Sequence, residues 1–114
     1  MAKNYRFADE GFDFINYNIQ DRPAQWGEGR MKPIRLSKHA LEQCAERGAT
    51  ETEVIHAIEY GSREPAKHGR EVFRYNFPFD RIWQGNRYSI KQVAPVIKEE
   101  AAEIVVITVY TFFF

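Results

Sequence analysis

Histidine exchanges a proton near neutral pH, and arginine grips a phosphate through two parallel hydrogen bonds. Both occur in residues 37–48, Ser-Lys-His-Ala-Leu-Glu-Gln-Cys-Ala-Glu-Arg-Gly. At helical spacing His39, Gln43 and Arg47 recur at i, i+4 and i+8 and share one polar stripe. Ala40, Leu41, Cys44 and Ala45 form the opposite, apolar one. A histidine near a helix start, in line with an arginine, is an arrangement that RNA-cleaving and phosphate-binding sites use. It is also the pattern of an ordinary solvated helix face, so the chemistry depends on what lies opposite.

A second group of cations lies further along. Residues 61–98 carry eight basic and three acidic side chains, whereas the whole chain balances sixteen against sixteen. Arg74, Arg87, Ser89 and Lys91 fall at alternating positions of expected strands, and Arg63, Lys67, His68 and Arg70 lie in the loop leading into them. Collected on the open face of a sheet, these residues would form an RNA platform, with cations on phosphates and tyrosines stacked on bases. The bland counterpart is a sheet face that carries Lys and Arg for solubility.

The elements that must position these groups are well signalled. Ser37 is an N-cap and Gly48 the left-handed residue that ends the first helix. Thr50 caps again, and Glu53 three residues later completes a capping box. The second helix spans 51–60, with Val54, Ile55, Ala57 and Ile58 as its buried stripe and Gly61 as its stop. Residues 34–36 alternate as a brief leading strand. Residues 72–79 put Phe73, Tyr75 and Phe77 on one side and Val72, Arg74 and Asn76 on the other. Residues 87–97 place Tyr88, Ile90, Ala94 and Val96 opposite Arg87, Ser89, Lys91 and Val93, and 103–112 is rich in β-branched residues. Residues 80–86 and 98–102 read as links. This order predicts an α+β domain over 34–114, a helical hairpin packed on one face of a three- to four-stranded antiparallel sheet.

Residues 1–33 read differently. Tyr5, Phe7, Phe12, Phe14, Tyr17 and Trp26 are interspersed with Asp, Asn, Gln and Gly, the composition of an N-terminal arm that either holds short extended pieces or orders only against a partner. Phe112, Phe113 and Phe114 form an apolar run that needs cover, from residues 1–30, from a partner or by self-association. Cys44 is the lone cysteine, which excludes a disulfide within the chain and fits a reducing cytoplasm. Its apolar surroundings make it a small buried hydrophobe. His39, His56 and His68 show no i, i+4 pairing, so no metal site is expected, and no phosphate-cradling glycine loop or nucleophile elbow implies a cofactor or acyl transfer. No run is long and apolar enough for a membrane span. The expectation is a soluble, cytoplasmic protein.

His39-Ala40, Arg47-Gly48, residues 50–54 and the closing Val106-Ile107-Thr108-Val109-Tyr110 together resemble a small bacterial and phage domain family grouped with BrnT-like toxins. That group sits within the barnase–EndoU–colicin–RelE ribonuclease superfamily, and the resemblance covers residues 34–111. Gln43 stands where the family commonly has arginine, and residues 1–30 have no counterpart in it. The resemblance implies a RelE-like fold and a metal-independent endoribonuclease or RNA-binding toxin, with an antitoxin as partner. It also implies His39 or His68 as acid or base, Arg47, Arg74 and Arg87 as phosphate binders, and Tyr110 stacking or donating beside them, with Lys91, His68 and Arg70 as further candidates toward phosphate. A second reading keeps the fold as a non-catalytic protein-interaction module.

Overall fold

A computed structural model describes residues 32–114. The expected arm over 1–33 lies outside the described residues except for Lys32 and Pro33, which join the sheet domain. Lys32 Nζ lies 2.8 Å from a Glu99 carboxylate oxygen, and Pro33 O accepts from Ile104 N–H. The elements run β1 (Ile34–Leu36), α1 (Lys38–Arg47), α2 (Glu51–Tyr60), β2 (Ser62–Pro65), a 3₁₀ turn (Lys67–Gly69), β3 (Glu71–Trp83), β4 (Asn86–Glu99) and β5 (Ile104–Phe113). Two helices pack on a five-stranded mixed sheet of order β1-β5-β4-β3-β2. The α+β expectation is met, but the sheet is neither three- to four-stranded nor wholly antiparallel, because β1 pairs parallel to β5 (Ile34↔Ile104). Parallel pairing needs a long crossover, and the helical hairpin supplies part of it.

Local signals place the helices as expected. The Ser37 hydroxyl accepts from Ala40 N–H, and Thr50 and Glu53 form the reciprocal capping box. Gly48 adopts φ +75°, and a side chain there would also meet the Trp83 ring. Gly61 ends α2 in an extended conformation instead of the left-handed one; it is required because a Cβ would collide with the carbonyl oxygens of Ala57 and Arg74.

Three elements depart from the sequence reading. β2 is a wholly exposed edge strand, Ser-Arg-Glu-Pro, with no apolar alternation to announce it. The link expected at 80–86 is instead the end of a long β3–β4 hairpin closed by Gln84 and Gly85. Both have positive φ (50° and 89°), the handedness that matches strand twist. A register shift between Pro78 and Arg81, with Asp80 at φ 49°, bends the hairpin. Its end is held by rings: Trp83 stacks on Phe113 at 5.1 Å, and Phe79 and Tyr88 meet the same ring. The core between helices and sheet is built on Phe73, Val54, Ile58, Val93, Ile97, Ile104, Val106 and Val109, all fully buried.

The buried stripe of α1 is displaced by about one residue around the helix from the expected one. Ala40, Gln43 and Cys44 are buried, while Leu41 and Ala45 are exposed. Beyond β1, no strand among the described residues pairs with the outer edge of β5, whose backbone groups need partners. Gln43 Oε1 accepts from Val109 N–H at 2.8 Å, and Arg47 Nη1 donates to Val109 O at 2.8 Å. Gln43 and Arg47 therefore do not share a solvated stripe with His39; they stand in for a missing strand.

Candidate functional site

Residues paired across strands share a sheet face, so the ladder defines the surface away from the helices. Asn76 pairs with Gln92, Gln92 with Phe112, and Ala94 with Tyr110. Arg74, two residues before Asn76, lies on the same face and pairs with Ser62 of β2. These side chains form a chain of contacts. Arg74 Nε donates to Glu64 Oε2 at 3.1 Å, Arg74 Nη1 donates to Gln92 Oε1 at 3.2 Å, and Gln92 Nε2 donates to Asn76 Oδ1 at 2.8 Å. The Arg74 guanidinium lies 5.8 Å from the Phe112 ring centre. Tyr110 and Phe112 lie 6.5 Å apart with planes 24° from parallel, and each is 45% exposed. Two near-parallel aromatic rings left in water beside an arginine and two amides form the most distinctive surface of the domain.

The other expected site residues scatter. Lys91 is not on this face: its alternation with Val93 turns both toward the helices. There its Nζ donates to Gly48 O at 2.8 Å and sits 2.8 Å from Glu53 Oε1, with the side chain 6% exposed. The parity expected for β4 is thus inverted, with Ala94 on the platform side and Lys91 inside. Arg87 stands near the hairpin end, where its guanidinium donates to the carbonyl and carboxylate of Asp80. Its partner Ile82 is eight positions along β3 from Arg74, roughly 25 Å at strand rise. His68 is exposed in the 3₁₀ turn with φ 61°, and Arg70 follows it.

His39 is exposed on α1, in the helical layer, whereas Arg74 lies on the opposite face with the sheet between them. It is also two turns from Arg47, about 12 Å along the helix axis. Arg47 and Tyr110 do meet at the β5 edge, the guanidinium 5.4 Å from the ring centre. A shallow pocket of about 260 Å³ opens there, lined by Glu46, Arg47, Trp83, Gln84, Tyr110, Thr111 and Phe113. The arrangement does not bring His39 to the cations of the open face, where the titratable group beside Arg74 is Glu64.

The electrostatics are milder than the local excess of positive charge implies. Five of the eight basic side chains in 61–98 are in ion pairs: Arg63 with Glu71, Arg74 with Glu64, Arg87 with Asp80, Lys91 with Glu53 and Lys98 with Glu100. Burial pushes the Cys44 thiol up to about 11, so it stays protonated and is a poor nucleophile at neutral pH. Burial among Tyr60, Tyr75 and Phe77 lowers His56 to about 4, leaving a neutral imidazole. Among the described residues no cluster of His, Cys, Asp or Glu is arranged to hold a metal ion, and no helix is long and apolar enough to cross a membrane.

Glu64, Asn76 and Gln92 are not among the expected site residues, and Phe112 is expected only as part of a partner or self-association surface. The signal for Asn76 was present, since it alternates with Arg74; Gln92 required the correct parity of β4. No protein-family model, curated protein or solved structure matches this chain.

Proposed function

We propose that this chain binds single-stranded RNA on the open face of its sheet, as a RelE-like, toxin-related domain. The observation that carries the reading is the exposed Tyr110–Phe112 ring pair beside Arg74, Asn76 and Gln92. Base–aromatic stacking contributes about 1–3 kcal/mol per base, and the amides offer donors and acceptors to base edges. The Arg74–Glu64 pair is partly exposed, and such pairs contribute at most about 1 kcal/mol, so a phosphate can displace the carboxylate. The likeness of residues 34–111 to BrnT-like toxins supports the same target class, with an antitoxin as protein partner. Because His39 lies in the other layer, the proposal is RNA binding, not cleavage by His39.

The test is fluorescence anisotropy with a labelled oligouridine. Tyr110→Ala and Phe112→Ala should each weaken binding about tenfold, the worth of one stacked base. Arg74→Ala should weaken it across sequences and lower the salt slope by about one phosphate contact. Absence of binding at low salt, or binding indifferent to all three changes, rejects the platform. A second reading, a protein-interaction module, is favoured by the uncharged end of β5 and the exposure of Phe112 and Phe114.

A further inference from the structure

The two edges of the sheet are built differently. β2 carries Arg63, Glu64 and Pro65, residue types that discourage a further strand. β5 carries no charged residue along its whole length. Phe114 exchanges both backbone hydrogen bonds with Ile90 of β4. By strand alternation Tyr110 and Phe112 also turn their backbone groups toward β4, and Val109, Thr111 and Phe113 turn theirs outward. Val109 fixes the parity, because Gln43 and Arg47 take its outward N–H and C=O. Helix α1 ends at Arg47, so this cover stops there. Among the described residues no hydrogen bond reaches the outward backbone groups of Thr111 and Phe113. The shallow pocket beside Arg47 and Gln84 leaves that flank of the edge accessible.

We infer that two copies of this chain pair through the open end of β5, antiparallel and centred on Phe112, joining two five-stranded sheets into one. An antiparallel edge is self-complementary under a two-fold axis, so one surface serves both copies. The register follows from the open groups. Centred on Phe112, Thr111 meets Phe113 of the second copy and Phe113 meets its Thr111, and each reciprocal pair exchanges two backbone bonds. Centred on Thr111, the pairing would need the groups of Val109, which α1 already holds. Centred on Phe113, Thr111 would oppose no residue of β5.

The same register disposes of the exposed rings. Tyr110, Phe112 and Phe114 share the open face and are 45%, 45% and 58% exposed. Across the axis Phe112 meets Phe112, and Tyr110 meets Phe114, so every exposed ring gains an aromatic cross-strand neighbour. Half-exposed aromatics offer about 100 Å² each, or roughly 300 Å² of ring surface per copy. That is below the roughly 800 Å² per partner of a standard interface, so association belongs in the micromolar range. The two open faces become one continuous surface. The pairing stands on the edge geometry and does not depend on RNA binding.

Sedimentation velocity on the full chain across the micromolar range tests it, read together with amide exchange at Thr111 and Phe113. A monomer–dimer equilibrium is expected, with both amides more protected as concentration rises. Phe112→Lys and Phe112→Glu each set like charges face to face across the axis and should raise the dissociation constant at least tenfold. Mixing the two variants should restore a heterodimer, a rescue that only the Phe112-centred register predicts. A chain that stays monomeric throughout overturns the inference, as does a dimer indifferent to both substitutions. Should the variants fail to fold, concentration-independent exchange at Thr111 and Phe113 in the unaltered chain overturns it equally.

Discussion

Replacing His56 with phenylalanine should flatten the acid limb of the stability curve. The imidazole lies among three rings, 4.5 Å from Tyr75, 5.0 Å from Tyr60 and 5.6 Å from Phe77. Desolvation alone lowers it from 6.5 to about 4. In the unfolded chain His56 takes up a proton as pH falls through 6.5, while in the folded chain it does so only near 4. The unfolded state therefore binds more protons between those values, and stability is lost as pH falls across that window. Above it the group contributes no pH dependence. A tenfold loss of proton affinity corresponds to about 1.4 kcal/mol, so the fall to about 4 sets a ceiling of roughly 3 kcal/mol. Partial exposure of the ring reduces this, and about 1–2 kcal/mol is expected. Urea unfolding at pH ~7.5 and ~4.5 reads the difference, since titration of the carboxylates is common to both proteins. His56→Phe should lose about 1–2 kcal/mol less than the unaltered chain over that interval. Equal losses would refute the assignment of His56 as a neutral group in a ring cage.

Three further outcomes follow from the packing. Gln43→Ala should cost about 1–3 kcal/mol in urea unfolding, because it leaves Val109 N–H at a buried edge without its acceptor. Lys91→Met should cost about 3 kcal/mol, the lower end for a broken buried pair, because Glu53 keeps partial contact with water. Glu53→Gln should then recover part of that loss in the double variant, and independent, additive costs would contradict the pairing. Gly48→Ala should lower the unfolding free energy by more than the usual ~1 kcal/mol penalty at a left-handed position, because the methyl also meets the Trp83 ring; Trp83→Ala should relieve that excess.

What the sequence determined is what local spacing encodes. Ser37, Gly48, Thr50 and Glu53 bracket two helices because caps act within three or four residues of the groups they satisfy. The Val54, Ala57 and Ile58 stripe and the β-branched run of β5 likewise follow from period alone. The polar residues were different. Gln43, Arg47 and Lys91 have the composition of a solvated surface, yet each faces inward because a distant backbone group needs it: Val109 for the first two, the Gly48 carbonyl for the third. Those needs arise only once β5 has an open edge and α1 an end buried over the sheet. The same dependence hid β2, whose Ser-Arg-Glu-Pro becomes a strand because Val72 and Phe73 lie beside it, and the length of the β3–β4 hairpin, held by Phe113. It also decided the site. Arg74, Gln92 and Phe112 are eighteen and twenty residues apart in the chain, and only strand register, which carries no local signature, sets them side by side.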